Sequence, residues 1–248
     1  KYITDTVAMS VKGQIPALEN LPPHNEDGAG GSHVYSPWWG YEAQRRGQLD
    51  FARGYHIEIG ATRSMPGGYS PVPMGYLRGH YGTKLKEEAR RYYGSFINLA
   101  SRGEMIPNEH CYAELDPVVK DKWGVPVVRW HWKWSENELS MALHGQKTFA
   151  AMIEEMGGTV TKPLAKSGYD LIRPGGNVKH EVGGARMGAD PRDSVCNKWS
   201  QTWDVKNLFL CDATSFVSNP DKNPTLTIMA LAWRCADHII EESAKGNL

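Results

Sequence analysis

The chain has 248 residues, enough for one large domain or two small ones with a substantial core. Its 28 Lys and Arg balance 28 Asp and Glu, so no global field favours nucleic acid or an anionic membrane surface. Mean hydropathy is −0.51, and no apolar run approaches the roughly 20 residues of a spanning helix, so no direct membrane span is expected. Lys1-Tyr2-Ile3-Thr4 has no initiator Met, apolar h-region or cleavage pattern, whereas the end runs out of an amphipathic helix. The expectation is a longer protein whose N-terminal portion is missing here and whose C-terminus is natural. The four cysteines (Cys111, Cys196, Cys211, Cys235) form no C-x-x-C pair, and their spacing suits neither zinc nor a disulfide framework. Free thiols and no metal are expected.

In chain order, a short strand is predicted near Ile3–Val11, then a long ordered loop. Pro16, Pro22, Pro23 and the run Asn25–Gly31 interrupt any period there. Trp38 and Trp39 give the loop aromatic mass. Gly54–Gly60 alternates as a strand, Leu85–Tyr93 reads as a charged helix, and Ser95–Ala100, Asn108–Leu115 and Val125–Trp134 as further strands. Val128, Trp130, Trp132 and Trp134 share one face, and sheet core or domain packing is their ordinary use. Glu136–Met156 has helical spacing, with Leu139, Leu143, Phe149 and Ile153 on one side and Gly157-Gly158 as its stop. Asn207–Asp212 fits a buried strand. Asn223-Pro224 then signals an N-cap with Pro at the first helical position. The helix runs from Thr225 to about Ser243, with Leu226, Met229, Ala230, Trp233 and Ile240 as its apolar stripe.

Phosphate loops, H-E-x-x-H, G-x-S-x-G and G-x-G-x-x-G are all absent. Two segments carry the chemistry. His180-Glu181-Val182-Gly183-Gly184-Ala185-Arg186-Met187-Gly188 allows backbone to approach a ligand closely, and Asp212-Ala213 leads to the Asn223 helix, whose N-terminus favours negative charge. Taken singly, His180 is a turn histidine and Asn223 a cap. His56 and His131 read as sheet-surface histidines.

Together, the His180–Gly188 pattern, Asp212-Ala213 and Asn223-Pro224-Thr225-Leu226-Thr227-Ile228-Met229-Ala230 resemble the C-terminal region of glucose–methanol–choline (GMC) oxidoreductases. Glu104–Asn108, Leu115-Asp116-Pro117, Trp123-Gly124 and Arg129 resemble the same family's substrate domain. Pro37-Trp38-Trp39 and Gly54–Glu58 look most like its glucoside 3-dehydrogenase and gluconate dehydrogenase branch. The resemblance implies FAD as cofactor, His180 as catalytic base and Asn223 as its partner. It places Asp212 and Ala213 by the ribityl and phosphates, and Asn223, Pro224 and Thr225 against the isoalloxazine. Trp38, Trp39 and His56 are candidate substrate contacts. One departure is Gly184, where the family commonly has Thr or Cys.

The chemistry fits these residue types: a neutral imidazole accepts the hydroxyl proton near neutral pH, and an amide holds the oxygen without competing for the proton. The expected fold is α+β, an antiparallel sheet with flanking helices. Residues 1–176 form the substrate domain, and 177–248 carry the catalytic His and a strand and helix completing a Rossmann-like flavin domain. The expected reaction oxidises a sugar or glycoside ring hydroxyl to a ketone, with hydride passing to flavin and electrons to an acceptor other than oxygen. The branch implies a small export subunit, a cytochrome c acceptor and a periplasmic location, with the cytoplasm as the other possibility. The rival readings are an oxygen-using sugar oxidase of the same family and a non-catalytic carbohydrate-binding module.

Overall fold

A computed structural model describes residues 1–22, 34–37, 40–61, 72 and 74–248. Trp38 and Trp39 lie outside the described residues, as does much of the loop around them. The chain folds into two compact units, which it enters alternately. One comprises Lys1–Val7, Gly103–Glu138 and Arg173–Leu248, the other Ala8–Arg102 and Leu139–Ile172. The boundary expected at 176/177 lies close to the last crossing, at Ile172/Arg173.

The second unit is built on a five-stranded sheet, in the spatial order Val34–Ser36, Tyr55–Ala61, Phe96–Gly103, Ser10–Gln14 and Thr159–Val160. Ser10 lies opposite Ala100, and Gln14 opposite both Phe96 and Thr159, in antiparallel register. The helix Glu136–Glu155 covers this sheet because the strand presents Gly13 to it. A Cβ at Gly13 would come within 2.7 Å of Ile153 Cγ2. Leu139, Phe149 and Ile153 are buried as the spacing predicts. At the helix end the Gly158 N–H donates to the Ile153 carbonyl and the Gly157 N–H to the Glu154 carbonyl, with Gly157 at φ +69. This is a Schellman stop, in which a left-handed glycine lets the chain turn back. At its start the buried Glu138 carboxylate accepts from the Ser135 N–H at 2.9 Å, one half of a capping box.

The alternation expected for Gly54–Gly60 holds only in part. His56 is not a surface histidine: it is 1% exposed, its ring 4.9 Å from that of Tyr35 and Nε2 3.6 Å from Glu58. Arg102 bridges Glu58 at 3.1 Å, so this strand is buried on both faces. Charges can be buried there because they are paired.

In the first unit, Ile3–Thr4 pairs antiparallel with Val182–Gly183. Tyr112–Lys120 and Pro126–His131 form a separate antiparallel ribbon with a register shift between Leu115 and Lys120. The predicted strands at 108–115 and 125–134 therefore do not join the main sheet. The tryptophan face also divides. Trp130 is 61% exposed on the ribbon, whereas Trp134 is buried. Trp132 packs edge-on to Trp134 and against Gly175, where a Cβ would meet its ring at 2.5 Å.

Two elements near the C-terminus differ from expectation. Leu208–Asp212 is not a buried strand: Leu208 and Cys211 are exposed, and the segment meets its neighbour through the single bridge Gln201↔Phe209. An apolar run becomes a strand only where a partner runs alongside it. The last helix, Thr225–Ala244, takes Pro224 rather than Asn223 at its N-cap, with no side-chain cap. Asn223 is exposed. Leu226, Met229, Trp233 and Ile240 of the apolar stripe are exposed, and Cys235 is buried.

Candidate functional site

Three stretches far apart in sequence meet inside the first unit: residues 2–7, 179–188 and 212–219. The middle stretch is threaded between the others. Ile3 pairs with Gly183 on one side, while the Ala185 N–H donates to the Thr214 carbonyl and Met187 N–H to the Ser215 carbonyl on the other. Gly183, at φ +84, is required by this threading. A Cβ there would stand 2.5 Å from the Tyr2 carbonyl oxygen, and that oxygen belongs to backbone. Gly184 is at φ +100, which a side chain rarely adopts. The departure from the family's usual Thr or Cys therefore goes with a backbone shape that suits glycine.

His180 is half-buried and held at three atoms. Its backbone N–H donates to Asp5 Oδ1 at 3.3 Å, its carbonyl accepts from Asn219 Nδ2 at 3.0 Å, and its Nδ1 is 3.2 Å from Thr6 Oγ1. Asp5 Oδ1 also accepts from the Thr6 N–H at 2.7 Å, and Asn219 Nδ2 is 3.4 Å from Thr6 Oγ1. Asp5, Thr6 and Asn219 are each at most 1% exposed. Burial raises the Asp5 carboxyl above its ordinary range, against the lowering effect of the Thr6 N–H, and the Glu181 charge raises it further. Sequence reasoning singled out His180 but missed Asp5, Thr6 and Asn219. No local pattern marks them, because their separations from His180 are 175, 174 and 39 residues.

Downstream of His180, residues 182–185 line a cavity of about 520 Å³ together with Asp212, Ala213 and Thr214. Ile228, in the first turn of the last helix, and the exposed Trp130 complete the apolar part. Asp212 and Ala213 thus lie at one site as expected. Asp212 N-caps the short 3₁₀ turn Ala213–Ser215, accepting from the Thr214 N–H at 2.9 Å. Asn223, Pro224 and Thr225 do not line this cavity, although Ile228 bonds back to Pro224 at 3.0 Å. The buried His56 belongs to the other unit.

The lining suits part of an FAD. Glycine and alanine give a flat backbone wall, Trp130 and Ile228 give apolar surface, and Asp212 offers a carboxylate that accepts from ribityl hydroxyls. Beside phosphates the same carboxylate would repel, and Lys1 is the sole cation in the lining, so the fit is to the ribityl end.

Comparison with known proteins agrees with this arrangement. Residues 107–232 match the family model described as GMC oxidoreductase. The chain is 34% identical over 215 residues to 2-methyl-1,2-propanediol dehydrogenase of Mycolicibacterium austroafricanum, covering 86% of this chain and 37% of that protein. It is 28% identical over 220 residues to the gluconate 2-dehydrogenase flavoprotein of Pantoea cypripedii, covering 88% and 35%. Among solved structures, a formate oxidase variant from Aspergillus oryzae RIB40, studied for FAD modification, superposes with a TM-score of 0.54 at 11% identity. It covers 98% of this chain and 47% of that one. The chain thus spans about a third of the length of these curated relatives and shares the fold of the solved structure. FAD is the cofactor that goes with this family. The chain belongs to the GMC oxidoreductases and matches the family in its C-terminal part.

Proposed function

We propose that this chain supplies the catalytic base and one wall of the flavin site to an FAD-dependent enzyme that oxidises a ring hydroxyl of a sugar or glycoside to a ketone. The observation that carries this reading is the continuity of the site. The segment that begins at His180 runs directly into the wall formed with Asp212 and Ala213. Bound FAD supplies a two-electron acceptor for hydride. The chain's own residues handle the proton. Nδ1 of His180 is engaged by Thr6, so the proton-accepting role falls to Nε2. Asn223, exposed and not engaged as a cap, supplies an amide for the hydroxyl oxygen. Gluconate, the substrate named for one relative, supports a hydroxylated carbon skeleton, and the branch resemblance supports a non-oxygen acceptor such as a cytochrome c.

A second reading is oxidation of a small diol, favoured by the 34% identity to 2-methyl-1,2-propanediol dehydrogenase. Anaerobic flavin reduction by a panel of sugars, glycosides and diols separates the two. Reduction by diols alone would favour the second. In the full-length flavoprotein, His180→Ala is expected to slow flavin reduction by about 10²–10⁴-fold while flavin stays bound. Reduction at the parent rate would remove His180 from the mechanism.

A further inference from the structure

We propose that Thr6 is a positioning residue that fixes which nitrogen of His180 accepts the proton, and that Asn219 holds Thr6 in that role. The inference rests on the reading of His180 as the base. Thr6 and Asn219 are each 1% exposed, and the Thr6 hydroxyl lies 3.2 Å from His180 Nδ1.

The orientation of Asn219 follows from its partners. The His180 carbonyl can only accept, so the amide must turn Nδ2 toward it, and the bond is 3.0 Å. Flipping the amide would set two acceptors against each other. In this orientation Oδ1 is buried without a partner among the described residues, a cost the fold bears to keep Nδ2 on His180. The same Nδ2 lies 3.4 Å from Thr6 Oγ1 and presents a donor to it.

Thr6 Oγ1 has a second acceptor position, and His180 Nδ1 is the group beside it. With the ring hydrogen on Nδ1 donated to Thr6, Nε2 keeps its lone pair. When Nε2 then takes a proton, the Nδ1–H to Thr6 bond is unchanged and stabilises the imidazolium. If Thr6 instead donated to Nδ1, the hydrogen of the neutral ring would sit on Nε2, which would have nothing with which to accept. The charged groups on the segments around the ring are Asp5, Lys179 and Glu181, and Thr6 is the neutral group placed against Nδ1.

The experiment uses full-length holoenzyme with ¹⁵N-histidine and anaerobic stopped-flow flavin reduction across pH. Long-range ¹⁵N–¹H correlation should show the neutral His180 ring protonated at Nδ1. Protonation at Nε2 would overturn the proposal without any variant. Thr6→Val, which keeps the shape and removes the hydroxyl, should lower the limiting reduction rate by about 10–100-fold. It should also move the acidic limb of the pH profile to lower pH, with little change in substrate affinity. Thr6→Ser should restore both. If His180→Ala is slow but Thr6→Val has the parent rate and pH limb, the proposal on Thr6 falls and the base assignment stands. If His180→Ala reduces at the parent rate, the base assignment itself falls.

Discussion

Replacing Gly183 with alanine adds one methyl group where the backbone leaves no room. Its φ of +84 alone costs a residue with a Cβ about 1–2 kcal/mol. The new Cβ would lie 2.5 Å from the Tyr2 carbonyl oxygen and 3.5 Å from that of Phe216. Neither is a flexible side-chain end, and Tyr2 precedes Ile3, whose pairing with Gly183 fixes the strand. Overpacking of this kind adds about 1–3 kcal/mol, for a total of about 2–5 kcal/mol. At about 2–4 °C per kcal/mol for a domain of this size, Gly183→Ala should lower the melting temperature by about 5–15 °C. Gly184→Ala is the control. Its Cβ would meet Ile3 Cγ1 at 3.3 Å, a side chain that can yield, so only the φ cost of about 1–2 kcal/mol remains. Thermal unfolding by circular dichroism, with flavin fluorescence followed alongside, reads both variants. A Gly183→Ala protein melting within about 2 °C of the parent, or Gly184→Ala proving the more damaging, would refute the close approach on which the site's wall depends.

Two further outcomes follow from titratable groups. Burial holds the proton on Asp5 to a higher pH than the unfolded value of 3.8, so the folded state binds more protons and stability falls as pH rises from there through the raised value. Asp5→Asn keeps an acceptor for the Thr6 and His180 N–H groups and removes the charge, so its melting temperature should fall less with rising pH over that interval; an unchanged slope would contradict the assignment. Cys211 is exposed, while Cys111, Cys196 and Cys235 are buried, and burial together with the Cys211 thiol 3.5 Å away pushes Cys235 up to about 12. A thiol reagent should therefore modify native Cys211 well before the other three, and equal rates at Cys211 and Cys235 would count against this packing.

Much of the molecule was legible in the sequence because its cause is local. The helix Glu136–Glu155 follows from the spacing of Leu139, Phe149 and Ile153 and from Gly157 as its stop, all within reach of one another along the chain. The family pattern at 180–188 and 212–230 likewise consists of short runs whose order is preserved, so it identified the GMC oxidoreductases and pointed to His180. The failures share a physical reason. Asn223 reads as a cap by residue type, yet capping depends on the dihedral angles at the turn, and Pro224 holds that place. Leu208–Asp212 reads as a strand by hydropathy, yet a strand exists only through its partner. Trp130 and Trp134 share a face by parity, but one is exposed on a two-stranded ribbon and the other is buried. The sequence by itself determined the helices, the family and the histidine. Tertiary structure alone decided what surrounds that histidine, since Asp5 and Thr6 reach it across 175 and 174 residues, and a contact over such a separation leaves no local signal in either segment.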